Sequence, residues 1–347
     1  MRSSIRLALR VFFAVALPAC GGSSPPAQTG GATKPPVEPA NEAAPAVSES
    51  APSSELLAGI KAFDSGNFES ARRSFEAAAK KNPRDYEALY NLGMACERLG
   101  DKSSAEAAYK AALEVKPDLE SAAAELCALY VDGGRIDAAL TVGKAALALH
   151  PRSAALHENV GVALATHGDQ ENAVHELEEA SQAQPSEPMF HLTLAHWLNT
   201  WHVRGASQHL DAARGLVKDD VGMLAAIGHE YRMAGEFDSC VKTFDRAVAL
   251  KDGGEVRTER ALCKLGLKDE KATLDDLQAA VAKESSYAPA HYYLGGRLAL
   301  AKRFKEAATE YAKYLEIAPS GSLAKPASER LKAAQEAAKS AVGAKRK

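Results

Sequence analysis

Aromatic residues are scarce in this sequence of 347 residues, at 6%, and only two of them are tryptophan. A core built on large rings is therefore not available. Alanine is abundant instead, which favours helices packed closely through small side chains. Neither sign of charge dominates: 42 Lys and Arg stand against 45 Asp and Glu, for a formal net charge of −3. That balance lacks the basic footprint of a nucleic-acid binder. The sequence has no Walker-type glycine loop, no G-x-S-x-G elbow, no H-E-x-x-H and no pair of C-x-x-C motifs. The expectation is a protein that is not an enzyme, with no catalytic residue, no cofactor and no small-molecule substrate. Long hydrophobic runs are missing too. The short run Val11–Leu17 cannot span a bilayer as a helix.

That run has company. Arg2, Arg6 and Arg10 precede it and small residues follow, which is the order of a secretory signal. It ends in Leu17-Pro18-Ala19-Cys20. This resembles the lipobox of bacterial lipoproteins, with Leu17, Ala19 and Cys20 in place and Pro18 departing from the pattern. The resemblance implies cleavage after residue 19 and lipidation of Cys20. Gly21, where that family's inner-membrane members carry Asp, implies an outer-membrane location facing the periplasm. A soluble exported protein is the alternative. Loss of residues 1–19 removes three arginines and no acids, taking the formal charge from −3 to −6.

Residues 20–53 are rich in Gly, Ser, Pro and Ala, with almost no large apolar side chain. Such a segment cannot bury enough surface to offset its ordering entropy, so it reads as a disordered tether. A coil of that length spans roughly 30–35 Å.

From there on the sequence repeats. Pro83, Pro117, Pro151 and Pro185 recur every 34 residues, as do Gly66, Gly100, Gly134 and Gly168, and Ala71, Ala105, Ala139 and Ala173. Residues 86–119 carry the fullest set: Leu89, Leu92, Gly93, Cys96, Ala105, Tyr109, Ala112 and Pro117. Each unit reads as two helices. Small residues such as Gly93 and Ala105 permit close approach, Gly100 favours a left-handed turn, and Pro117 stops the second helix. Period and pattern resemble the tetratricopeptide repeat (TPR). The resemblance implies an all-α fold, a right-handed α-solenoid of about eight helical hairpins over residues 54–321. Residues 188–220 have lost one position, and 255–287 is the weakest unit. The Ala/Lys-rich stretch within 322–347 reads as a capping helix that shields the last apolar face, followed by the basic tail Lys345-Arg346-Lys347.

By the same resemblance, set positions of each first helix line a partner-binding groove. Those positions hold Tyr90, Asn91, Met94 and Glu97, then Glu125, then Glu158 and Asn159, then Leu192, His196 and Asn199, then His229 and Arg232. The set is mixed apolar and acidic, which suits an amphipathic helix or a segment with some positive charge. His191, His196, His202 and His209 cluster with Trp197 and Trp201. A metal site is conceivable there, but the histidines do not share a helical face at i, i+4, and the expectation is a structural role with no metal. Cys96, Cys127, Cys240 and Cys263 fall at small-residue positions of predicted helices and read as buried packing residues. Disulfides between Cys96 and Cys127, or between Cys240 and Cys263, are the alternative. The whole implies an adaptor of the bacterial cell envelope, held to the membrane by lipid, whose partners are other envelope proteins or peptide segments. An envelope machine in assembly is one setting for it.

Overall fold

The computed structural model describes residues 52–344, with side chains up to residue 340. Cys20, the leader, most of the tether and the basic tail lie outside them. The described residues form seventeen α-helices and no strand. Sixteen of these pair into eight antiparallel hairpins: α1 (Ser54–Asp64) with α2 (Phe68–Lys81), α3 (Tyr86–Leu99) with α4 (Lys102–Val115), α5 (Glu120–Asp132) with α6 (Ile136–Leu149), and α7 (Ala154–His167) with α8 (Gln170–Ala183). The second half has α9 (Pro188–Thr200) with α10 (Ala206–Leu216), α11 (Val221–Met233) with α12 (Phe237–Leu250), α13 (Gly254–Gly266) with α14 (Glu270–Lys283), and α15 (Ala288–Leu300) with α16 (Phe304–Ile317). The long terminal helix α17 (Ala324–Ala344) closes the stack. Packing runs between successive helices, as in a solenoid. Among the described residues no helix is long and apolar enough to cross a membrane.

Local chemistry sets the helix ends. Asp85, Asp101, Asp169 and Asp269 each accept a hydrogen bond from the backbone N–H three residues on, and Ser53 and Ser153 do the same. The turn inside each hairpin follows one scheme. One residue turns left-handed and its N–H donates three residues back, while the next N–H donates five back, as Gly100 does to Glu97 and Asp101 to Cys96. Five of the eight turns use Gly there: Gly66, Gly100, Gly134, Gly168 and Gly235. The other three use His202 (φ 55°), Lys268 (φ 61°) and Lys302 (φ 60°). A side chain in that region costs about 1–2 kcal/mol.

Within a hairpin, a small residue on the first helix takes the large residue sixteen positions on. Phe75, Tyr109, Leu177, Phe244 and Tyr311 lie against Gly59, Gly93, Gly161, Gly228 and Gly295. All five large residues are essentially fully buried. A Cβ added at Gly59 would stand 2.5 Å from the Phe75 ring, and one at Gly161 would stand 2.7 Å from Leu177. In the fifth and seventh hairpins the same places hold Ala195 with Leu210 and Ala261 with Leu277, all buried. The third hairpin reverses the arrangement. Cys127 stands at the glycine place and Gly143 at the large one, and a Cβ on Gly143 would meet Cys127 Sγ at 3.1 Å and clash with Val160. The loss of the ring is thus offset by the thiol and by a valine from the next hairpin.

The position lost from the fifth unit is absorbed by α10, which has 11 residues where most second helices have 14. The weakest unit in sequence, the seventh, is held by charge. Asp276, 4% exposed, accepts from Arg260 at 2.6 Å and from Lys264 at 2.7 Å, with Arg257 3.4 Å away. Cys240 of α12 and Cys263 of α13 form a disulfide across the joint between the sixth and seventh hairpins, so packing alone is not their role. Cys96 and Cys127 are buried and free, as packing residues. Burial pushes both thiols up, Cys96 to about 11 and Cys127 to about 12.

Gly93→Ala is expected to cost about 1–3 kcal/mol by overpacking against Tyr109. The cost should vanish in a Tyr109→Ala background. Native-state hydrogen exchange over α3 and α4 reads both, and an equal loss in the two backgrounds would show that the ring contact is not what limits the approach.

Candidate functional site

The residues placed in the groove by repeat position lie on the first helices of hairpins two to six, and the structure buries three of them. Tyr90, Asn91, Met94, Glu97 and Glu125 are partly exposed on α3 and α5. Glu158, Asn159 and Leu192, on α7 and α9, are 2%, 5% and 1% exposed. These three cannot line a surface, and their assignment to the groove is corrected here.

The reason is a seam of hydrogen bonds joining consecutive first helices. Asn159 Nδ2 donates to the Ala124 carbonyl at 2.8 Å, and Thr193 Oγ1 donates to Glu158 Oε1 at 2.8 Å. Both links span 35 residues, so each side chain reaches back to the residue one place earlier in the preceding repeat. Farther along, Asn199 Nδ2 donates to the backbone and side-chain oxygens of the buried Glu230, and His196 Nδ1 lies 3.1 Å from Glu230 Oε1. Arg232 Nε stands 3.5 Å from Glu259 Oε2 and donates through Nη2 to His229 Nδ1 at 3.0 Å. Burial, and then the Arg232 charge, hold the His229 imidazole below its usual range. Burial also raises Glu259, with Arg232 opposing it. From the fourth hairpin onward most of these polar positions therefore make contacts between repeats. Thr193, Glu230 and Glu259 are essential to this seam and were not identified from the sequence. Their signal was a polar residue one repeat away from another polar residue.

The second and third hairpins differ. Glu97 Oε2 accepts from the Tyr109 hydroxyl at 2.8 Å, and Asn91 donates only to its own helix, at the Glu87 carbonyl. Burial, then the charge of Glu125, pushes Tyr90 up to about 12. The Tyr109 hydroxyl is raised too, by burial and then by Glu97 and Glu125. Both tyrosines thus feel the same two carboxylates, Glu97 and Glu125. The Tyr90 and Met94 side chains add apolar area beside the acids.

The histidine cluster does not converge. His191 Nδ1 lies 3.2 Å from His209 Nδ1, and its Nε2 is 3.1 Å from the Pro185 carbonyl. His196 serves the seam, and His202 is a turn residue. Trp197 and Trp201 lie ring to ring at 5.2 Å. Among the described residues no group of three or more His, Cys, Asp or Glu could hold a metal ion. The His191 place is a recurring lock between the two helices of a hairpin. In the fourth and eighth hairpins His157 and His291 meet Glu176 and Glu310 at 2.6 Å while facing a carbonyl of the preceding turn. In the seventh hairpin Arg257 and Asp276 fill the two places.

Comparison with known proteins fits this geometry. The tetratricopeptide repeat family model matches residues 56–124, 128–188 and 274–322, more than half of the chain. The chain belongs to the tetratricopeptide repeat family. Its fold is similar to that of yeast Tom70 (TM-score 0.54, 16% identity, covering 86% of this chain and 67% of that one). It is also similar to PilW, described as a widely conserved type IV pilus biogenesis factor (TM-score 0.50, 19% identity, 56% and 91% covered). MamA from Desulfovibrio magneticus RS-1 aligns at TM-score 0.43 and 22% identity, over 48% of this chain and 97% of that one. No curated protein matches the sequence. The unmatched stretch 189–273 contains nearly all of the shortened fifth hairpin, the sixth, and the first helix of the seventh.

Glu158 gives the seam a measurable signature in this TPR protein. Burial pushes its carboxyl up to about 7, against the Thr193 hydrogen bond, and Oε2 has no partner. The folded state thus holds the proton more tightly than the unfolded state. Stability from this group is fully present below pH 4.5 and is lost as pH rises through about 7. Glu158→Gln is expected to be more stable than the parent at pH 8 by up to about 3 kcal/mol and to show no such gain at pH 5, in paired urea titrations. A gain of equal size at both pH values would show that Glu158 is not protonated on folding.

Proposed function

We propose that this chain is a lipid-anchored adaptor of the bacterial cell envelope that holds other proteins on the surface formed by Tyr90, Met94, Glu97 and Glu125. The observation that carries the binding surface is the contrast along the first helices. From the fourth hairpin on, Glu158, Asn159 and Leu192 are buried between repeats, whereas Tyr90, Met94, Glu97 and Glu125 of the second and third hairpins are partly exposed and make an acidic, partly apolar patch. A segment with a bulky apolar side chain beside Lys or Arg complements it. Family membership supports a protein-binding array of this kind and gives no catalytic site. The solved structures with similar folds support the solenoid alone.

The envelope setting rests on the leader, the lipobox-like Leu17–Cys20 and the tether that follows. The Cys240–Cys263 disulfide agrees with an exported protein, because such bonds persist in oxidising compartments. Several acyl chains on Cys20 would give stable attachment, since a single chain binds only marginally. The tether would let the array search for partners beside the membrane.

Two measurements test the two halves of this reading. Cys20→Ser should move the protein from the membrane fraction to the soluble exported fraction, and unchanged attachment would remove the acyl anchor. Glu97→Lys with Glu125→Lys should strip co-purifying partners from the array without unfolding it. Partners retained by a folded double variant would place the binding surface elsewhere.

A further inference from the structure

The hairpin turns differ between the two halves of the array in a way that neither the fold nor the acidic patch requires. All eight turns share one hydrogen-bond scheme, so glycine would serve at every left-handed position. Three turns of the second half instead place His202, Lys268 and Lys302 there, all exposed. Each strained residue sits beside an apolar one. Trp201 precedes His202 and Val203 follows it, Leu267 precedes Lys268, and Leu300 stands two before Lys302. Exposure is high: Val203 45%, Leu267 42% and Leu300 67%, with Met233 of the intervening sixth turn at 63%. A non-glycine residue kept in a strained position is a reason to look for function.

The charges agree. Arg204, Lys268 and Lys302 are exposed and meet no carboxylate among the described residues. Apart from the exposed Asp238, the acids of the same edge are engaged. Asp269 caps α14, Glu270 pairs with Arg297, Glu236 accepts from Ser207 and Glu306 holds Arg303. The first four turns carry Asp64, Asp101, Asp132 and Asp169, and their cations Lys102 and Arg135 are paired with Asp132 and Glu106.

We propose that the turn edge of hairpins five to eight rests on an anionic bilayer surface, with Val203, Met233, Leu267 and Leu300 entering the headgroup layer and Arg204, Lys268 and Lys302 meeting lipid phosphates. Single apolar tips, one per repeat and each isolated by a turn, suit a soft and laterally uniform surface better than a shaped protein pocket. Cations interleaved with them add attraction that the chain's overall negative charge does not supply. The proposal does not depend on the acyl anchor.

The test uses residues 20–347 with Cys20→Ser, so that no acyl group can contribute, and vesicles of phosphatidylcholine with or without phosphatidylglycerol. The chain should sediment with the anionic vesicles and not with pure phosphatidylcholine, and salt should weaken the association. Lys268→Gly with Lys302→Gly should lower partitioning about tenfold or more while leaving the melting temperature unchanged or higher, because glycine relieves the turns. Met233→Ser with Leu300→Ser should lower partitioning several-fold. Equal binding to both vesicle types would overturn the proposal, as would unchanged partitioning of the double-glycine variant. Binding to polyglutamate that depends on Lys268 and Lys302, without vesicle binding, would overturn it in favour of an acidic protein.

Discussion

The array depends on one steric relation, the approach of the two helices of a hairpin at a residue without a side chain. Where Gly59, Gly93, Gly161, Gly228 and Gly295 lie against Phe75, Tyr109, Leu177, Phe244 and Tyr311, a Cβ would fall inside the van der Waals surface of the partner. Interiors packed to crystal density do not absorb such an overlap without cost. The spacing of the helices therefore follows from the glycine, and the ring fills what the glycine leaves. Other arrangements are allowed so long as the summed volume is kept. Cys127 with Gly143 keeps it by exchange, with Val160 of the next hairpin entering the space, and the alanine–leucine pairs of the fifth and seventh hairpins keep it with smaller residues. Hairpin geometry persists where the sequence pattern fades because volume, and not residue identity, is what the joint requires.

This also explains what could be read from the sequence and what could not. The 34-residue recurrence of Pro, Gly and Ala over the first four units reports the turns and the close approach, and with them the fold class. Gly100 turns left-handed as its place in the repeat requires. The seventh hairpin carried little of this signal because it is held by other means. A nearly buried carboxylate at Asp276 with cations on three sides, and a covalent link from Cys240 to Cys263, replace part of the missing packing. Such a network comes from residues scattered over a helix pair, and no spacing in one dimension announces it.

The groove was the less legible part. Repeat position correctly puts Glu158, Asn159 and Leu192 on first helices, but it carries no information on how far the next hairpin leans over them. Neighbouring repeats in a solenoid bury one another's faces to a degree set by their side chains. Here Asn159 and Thr193 draw the fifth, seventh and ninth helices together through bonds to Ala124 and Glu158. The polar residues that look like ligand contacts in the sequence become contacts between repeats. Glu97 differs in that its partner is the Tyr109 hydroxyl of its own hairpin, and both Glu97 and Glu125 stay partly exposed.

A solenoid lets such surfaces evolve apart. Each hairpin touches mainly its neighbours, so a substitution on a turn edge leaves the helix-facing seam undisturbed, and one in the seam leaves the edge undisturbed. The costs differ in kind. In the seam the cost is a carboxylate kept from water, as at Glu158, and it is recovered in part through cohesion between repeats. At the turns the cost is backbone strain at His202, Lys268 and Lys302, which no contact among the described residues recovers, since glycine in the other five turns makes the same hydrogen bonds. A non-glycine residue held in such a conformation is a reason to look for a role outside the fold. All three lie within two residues of an exposed apolar side chain, and that juxtaposition is what the proposed bilayer contact uses.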